Sequence, residues 1–405
     1  MRLSQFSLVD RMFILFIGLV IILSFPATLF RLAGIEFVAD YYFDTVFLIF
    51  TGLALANFLL ALNVRVPEPV FVISLVGFLV FIFAIGVVRN TEDPIGGLRY
   101  FVLPLIAYLL LIGRSYLLFF ITSERFWKLV MIMHILGLSV YYSGILGPMY
   151  PGIGETSIAY AAIFMFANGH PLLLLAALVM IFLEGKRSVL FAMLITLAFI
   201  RLIKFSAGGR LLYSAIAGLL ALIVLGVFLY VIADGAGSST TVARINYINP
   251  FSDQFDLYLG SSGRFGELES FWQGKTVMEI LTGSGSGFKY EWDLGFASSQ
   301  SGEVKGYFHM SIANYIAVGG LVGFAVFIYL AAFPFKASQL KLPSKQRMTL
   351  FGFGFYSIVQ SFFGFTLAVD TVALIFIIGP AALLSLHTSR SRNSSTPVQP
   401  QRSTA

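Results

Sequence analysis

The chain has 405 residues, 58% hydrophobic and only 11% charged, with a net charge of +6. A soluble domain carries roughly 25% charged residues, so a water-soluble globular protein is excluded and a polytopic membrane protein is expected. There are no cysteines, which excludes disulfides and cysteine-based metal or redox centres.

The apolar runs approach the roughly 20 residues that cross a bilayer as a helix. The alternating pattern of a membrane barrel is absent, so the fold class is all-α. About twelve spans are predicted from run length: Met12–Phe30, Tyr42–Leu62, Val70–Val88, Leu98–Gly113, Phe126–Leu146, Thr156–Ala167, Pro171–Leu183, Val189–Lys204, Leu211–Ile232, Phe308–Phe333, Met348–Phe365 and Val369–Leu386. The sixth and seventh are short. Read as one interrupted span, they would invert everything downstream. The first run lacks a small-residue cleavage site and reads as a retained anchor. The expected organisation is helices one to nine in 1–232, one large loop in 233–306, helices ten to twelve in 307–387, and a Ser/Arg/Pro-rich disordered tail in 388–405.

Charge places the loop. With a cytoplasmic N-terminus the inner segments hold Arg2, Arg11, Arg65, Arg114, Arg125, Lys128, Arg201, Lys204, Arg210, Lys336, Lys341, Lys345, Arg347, Arg390, Arg392 and Arg402, beside only Asp10, Glu68 and Glu124. The outer segments are net acidic. This is the positive-inside asymmetry; it predicts that the loop is extracytoplasmic and both termini are cytoplasmic.

In the first outer loop Glu36, Asp40 and Asp44 stand four apart, on one helix face if helical. Three carboxylates bind a divalent cation, or simply cap and solvate the approach to the second span. Gly185-Lys186-Arg187-Ser188 puts two cations on a short outer turn, against the charge bias. Glu184 neutralises one of them, or both face a phosphate. Arg264 precedes Phe265, Leu268, Phe271, Trp272, Ile280 and Leu281, a spacing that predicts an amphipathic helix on the outer membrane surface. Arg264 either pairs with Glu267 or Glu269 or aims its planar fork at a phosphate.

Gly283-Ser284-Gly285-Ser286-Gly287 lacks the Gly-Lys-Ser/Thr ending of a P-loop and the strand and helix of a dinucleotide turn. It reads as a flexible turn or as backbone that cradles a phosphate or sugar. His309 opens the tenth span and is followed by Gly320-Leu321-x-Gly323. His134 lies inside a span, His170 and His387 read as loop residues, and Asp370 reads as the cap of the last span.

In order and spacing, these residues resemble the O-antigen polymerase and O-antigen ligase superfamily of bacterial membrane glycan transferases (Wzy-type and WaaL-type). The resemblance rests on the hydropathy layout and on the stretch from Glu184 to Gly323. That stretch holds the basic turn, Arg264 near Trp272, the glycine run, and His309 with Gly-Leu-x-Gly. Family members often carry Asn directly after the His. Here that residue is Met310, and Asn314 offers an amide nearby.

The resemblance implies a glycan donor on undecaprenyl diphosphate in the outer leaflet of the bacterial inner membrane. An acceptor hydroxyl attacks the anomeric carbon and the lipid diphosphate leaves. Arg187 and Arg264, with Lys186 as a lesser candidate, would neutralise the developing charge. His309 would take the hydroxyl proton or hold the diphosphate as imidazolium. Gly283, Gly285, Gly287 and Trp272 are the expected substrate contacts. No metal, cofactor or nucleic acid is expected. The expected partners are the bilayer and other assembly proteins, a flippase and a chain-length regulator. A polymerase of repeat units is favoured over a ligase acting on a lipid A core. A metal-dependent transferase using Glu36, Asp40 and Asp44, and a lipid-sugar transporter or flippase, are the readings from other classes.

Overall fold

Phe71, Leu75, Phe78, Ile82 and Gly86 are buried on one stripe of the helix Pro69–Val88, and Ile73, Val80 and Val87 are exposed on another. Both faces are equally apolar. A bilayer accommodates such an exposed face and water does not.

The computed structural model describes residues 3–23, 42–61, 69–142, 155–183, 187–205, 253, 264–273, 275–292, 303–308, 310–364 and 370–394. The helices in chain order are α1 (Leu8–Leu23), α2 (Tyr42–Leu60), α3 (Pro69–Val88), α4 (Pro94–Leu111), α5 (Leu117–Thr122), α6 (Glu124–Tyr142), α7 (Glu155–Asn168), α8 (Pro171–Leu183), α9 (Arg187–Phe205), α10 (Arg264–Trp272), α11 (Val277–Thr282), α12 (Ser311–Ala332), α13 (Ser344–Ser361) and α14 (Thr371–Ser394). A two-stranded antiparallel ribbon, β1 (Tyr290–Trp292) and β2 (Glu303–Lys305), lies between α11 and α12. The protein is thus mostly helical. Among the described residues three helices are long and apolar enough to cross a membrane: α3, α4, and α12 continued through a 3-10 segment to Gln339. Parts of α2, α7, α8, α9 and α14 are apolar but shorter. The expected span Leu211–Ile232 lies outside the described residues, as does most of the loop before Arg264.

Local signals explain the boundaries. Asp93 caps α4 by accepting the Gly96 N–H at 2.8 Å, and Pro94 fills the first helical turn. At the other end of α4, Asn57 on α2 donates to the carbonyls of Leu109 at 2.7 Å and Ile112 at 3.2 Å. Arg114 in turn donates to Asn57 Oδ1 at 2.6 Å. Helix-end carbonyls inside a bilayer need such partners. The short pair α7 and α8 is a helical hairpin and not one interrupted helix. His170 N–H donates to Met165 O at 2.9 Å and Gly169 N–H to Phe166 O at 3.2 Å, with Gly169 at φ +82. That is a Schellman ending, and Pro171 restarts the chain as α8. The two helices pack along each other. α14 continues past His387 to Ser394, where the sequence predicts a disordered tail.

The core is aromatic and closely packed. Trp127, Tyr160, Phe353 and Phe376 meet edge-on or tilted between α6, α7, α13 and α14. Small residues allow the approach: a Cβ on Gly352 would stand 2.6 Å from Ile163 and 2.7 Å from Ile200.

The contacts sort the helix termini into two ends. Asp10 meets Ser115, His170 meets Glu124, and Lys345 meets Asn168 at one end. That end holds Arg11, Arg114, Arg125, Lys128, Arg201, Lys345 and Arg347, beside Asp10 and Glu124. The opposite end holds the turn between α3 and α4, the starts of α9, α12 and α14, and the segment from α10 to β2. It carries Glu92, Asp93, Glu267, Glu269, Glu279, Glu291, Glu303 and Asp370 beside Arg89, Arg99, Arg187, Arg264, Lys275, Lys289 and Lys305, a slight acidic excess. One end is basic and the other mixed to acidic.

Candidate functional site

The described residues between Arg264 and Phe308 pack on the acidic end through glycine. In Gly283–Gly287, Ser284 N–H donates to Ala317 O at 2.6 Å, Gly285 N–H to Val318 O at 2.9 Å, and Ser286 N–H to Ile82 O at 2.9 Å. The carbonyls of Ala317 and Val318 are free because α12 breaks at Gly320, at φ 54 and ψ −132. The run therefore repairs a break inside a spanning helix, as buried backbone requires. It does so at backbone contact. A Cβ on Gly283 would meet Val318 O at 2.3 Å, on Gly285 the Gly86 nitrogen at 2.2 Å, on Gly287 Asp93 O at 2.3 Å, and on Gly320 Leu281 O at 2.0 Å. The sequence leaves a flexible turn or a phosphate or sugar cradle open here. The structure engages the amides of Ser284, Gly285 and Ser286 with protein carbonyls, and Gly283, Gly285 and Gly287 pack three helices together.

The turn 89–93 holds the same segment from above. Arg89 pairs with Glu279 at 3.0 Å and donates to Thr282 at 3.0 Å. Thr91 donates to Ser286 O at 2.7 Å, and Lys289 pairs with Glu92. Thr276 and Glu279 cap α11 reciprocally. The bonds from Thr276, first its backbone N–H and then its hydroxyl, hold the Glu279 carboxyl below its usual value, with Lys275 and Arg89 adding to the effect.

α10 packs its described apolar side chains against protein. Phe271 is buried and meets Phe288 at 5.3 Å, Tyr290 at 5.9 Å and Phe308 at 5.0 Å. Trp272 is half-buried against Phe271 at 4.9 Å. Burial, and then the nearby Glu267 carboxylate, push the Tyr290 phenol well above its usual value. It stays protonated and donates to Tyr307 O at 3.1 Å. The exposed apolar side chains belong to α11, where Val277 is 73% and Met278 67% exposed.

Phe308 and Met310, the neighbours of position 309, are held by one side chain. Asn314, on the first turn of α12, is buried. Its Oδ1 accepts the Phe308 N–H at 2.9 Å. Its Nδ2 donates to Phe308 O at 2.7 Å and Met310 O at 2.9 Å. Both donors and one acceptor of the amide thus fix the backbone on either side of position 309. Ser311 donates its N–H and hydroxyl to Gly364 O at 3.1 and 3.0 Å, tying the same turn to the end of α13.

His309 and Lys186 lie outside the described residues, as do Glu36 and Asp40; of Arg187, Arg264 and Asp44 only the backbone is described. Arg264 opens α10, whose Phe271 touches Phe308, the neighbour of position 309. Arg187 opens α9 at the same end. Arg201 on α9 and Met348 on α13 line one cavity at the basic end. From there Arg187 is about 21 Å along α9 and Ser361 about 20 Å along α13, by helical rise. Three residues beyond Ser361 is Gly364, the partner of Ser311. The helix starts at Arg187 and Arg264 and the residues flanking position 309 thus all lie at the acidic end. Among the described residues no three His, Asp or Glu side chains come together.

Arg89, Thr91 and Glu92 were not singled out from sequence. The signal was there: Arg89-Asn90-Thr91-Glu92-Asp93 is a polar cluster between two apolar spans, and Asn90 takes a positive φ of 52. No known family model and no curated protein matches the chain.

Proposed function

We propose that the chain is a membrane glycosyltransferase that polymerises undecaprenyl-diphosphate-linked oligosaccharide repeat units at the outer leaflet of a bacterial inner membrane. The observation that carries the reading is the Asn314 clamp on the residues flanking His309, joined through Phe308 and Phe271 to the helix that Arg264 opens. Fixed backbone on either side of the histidine, with a helix opened by an arginine packed against one flank, suits transfer from a diphosphate donor. In this reading an acceptor hydroxyl attacks the anomeric carbon and the carbon–oxygen bond to the diphosphate breaks. Arg264 and Arg187, with Lys186, balance the charge on the leaving diphosphate. His309 either accepts the hydroxyl proton or holds the diphosphate as imidazolium. The acidic end faces outward, because basic residues favour the cytoplasmic side.

A flippase or transporter is the second reading, since α12 is interrupted at Gly320 and such folds bind substrate at broken helices. The carbonyls freed by that break are occupied by Ser284 and Gly285, which favours a structural role for it.

The test is genetic and chemical. Arg264→Ala and His309→Ala should reach the membrane normally and yield no polymer from lipid-linked repeat units. Wild-type polymer from both would overturn the reading. Deleting the gene separates the branches. Loss of a polymerase leaves single repeat units on the acceptor. Long chains accumulating on undecaprenyl diphosphate would identify a ligase.

A further inference from the structure

At the opposite, basic end the α7–α8 turn encloses a cavity of about 270 Å³ that plays no part in the proposed chemistry. Its walls are Phe166, Pro171, Leu174 and Met348, and its two polar side chains are His170 and Arg201. The Schellman ending at Gly169 and the restart at Pro171 set the turn, and Lys345 fastens it by donating to Asn168 O at 3.4 Å. The nearby carboxylate, Glu124, is held between Lys128 at 2.7 Å and His170 at 3.6 Å. Among the described residues Arg201, Lys128 and Lys345 outnumber that carboxylate, so the charge at this turn is net positive.

We propose that this cavity binds the phosphate headgroup of an anionic phospholipid, with Arg201 as the principal cation. Three features select a lipid over a free anion. The walls are mostly apolar, which suits the first carbons of a lipid and not a hydrated ion. Beyond Pro171, α8 turns Leu172 and Leu175 outward, 81% and 58% exposed, so an apolar track leads from the cavity along the helix. The site also sits at the end of the bundle that collects Arg and Lys, where basic pockets between helices meet anionic headgroups. The inference is independent of the chemistry assigned to the other end.

The test is native mass spectrometry of the purified full chain in detergent, with added phosphatidylglycerol or phosphatidylcholine. Wild type should retain phosphatidylglycerol in preference. Arg201→Gln should lower that retention about fivefold, the value of one cation at the membrane surface. Arg201→Lys should keep most of it. Leu174→Trp, which fills the cavity and leaves the charges, should lower it as well, and it carries the test if Arg201→Gln fails to fold. Arg11→Gln, at the same end but bonded to Phe6 O and Ser4 O, should change nothing. Equal retention of the two lipids, unchanged binding in both Arg201→Gln and Leu174→Trp, or loss of the preference in inorganic phosphate would each overturn the proposal.

Discussion

Replacing Gly285 by alanine tests whether the glycine run is packing. Gly285 sits at φ +81, where an L-residue costs about 1–2 kcal/mol. Its new Cβ would stand 2.2 Å from the Gly86 nitrogen and 2.5 Å from the Gly86 Cα, both main-chain atoms that no rotamer change can move. Overpacking of that kind costs about 1–3 kcal/mol more. The sum, about 2–5 kcal/mol, is a large share of the roughly 5–15 kcal/mol that holds a domain folded. The strain is relieved by lifting residues 283–287 off α3 and α12, which breaks the Ser284–Ala317 and Gly285–Val318 bonds. Hydrogen exchange at Ser284, Gly285 and Ser286 should then quicken by at least about 30-fold, at about 1.4 kcal/mol per tenfold. Gly52 is the control. A Cβ there meets nothing within 4 Å, and alanine in a helix interior gains about 0.5–1 kcal/mol. If Gly285→Ala exchanges and melts like wild type, the close approach does not hold the loop, and the run regains its role as a ligand cradle.

Asn314→Ala strips the partners from Phe308 N–H, Phe308 O and Met310 O, at about 1–3 kcal/mol for each buried group left unpaired. Polymer formation by membrane vesicles should fall at least tenfold with protein level unchanged; full activity would separate the clamp from the chemistry. Glu279 has a depressed carboxyl, so its contribution is present above the unfolded value near 4.3 and is lost as pH falls through the folded one. Exchange in α11 should therefore rise on acidification below that range, and Glu279→Gln should flatten the profile; an unchanged profile refutes the assignment. Reporter fusions at Ser239 and at the C-terminus should read opposite sides of the membrane, and the same side for both would remove the outward-facing site. A chelator should leave glycan transfer unchanged, whereas loss restored by a divalent ion would move the chemistry to Glu36, Asp40 and Asp44.

What sequence made legible is what depends on neighbours in the chain. Asp93-Pro94 and Gly169-His170-Pro171 announce helix boundaries because a cap, a left-handed residue and a missing N–H act within one turn. The membrane class follows from apolar faces on all sides of α3. The glycine run could not be resolved the same way. Glycine states that a backbone must come close, and leaves unstated whether a phosphate or another helix approaches. Its partners are Gly86 on α3, Val318 on α12 and Asp93 at the cap of α4. Arg89 and Glu279 pair across a comparable separation. Asn314 was legible as an amide near His309, but its grip on both neighbours of that position needs the turn into α12.

This arrangement has a consequence for the proposed site. The helix that Arg264 opens and the residues flanking His309 share one aromatic core, and that segment is bonded to the break in α12. Loss of activity in a variant of the loop can thus come from displacement as well as from chemistry. Gly285→Ala alters none of the proposed charged or proton-transferring groups while displacing the segment. If it abolishes transfer and Arg264→Lys, which keeps the charge and loses the fork, abolishes it with loop exchange unchanged, geometry and chemistry are separated. Positioning and charge are then two requirements of the same end of the molecule. If Arg264→Lys loosens the loop as much as Gly285→Ala does, the arginine is part of the packing and the diphosphate contact must be sought at Arg187.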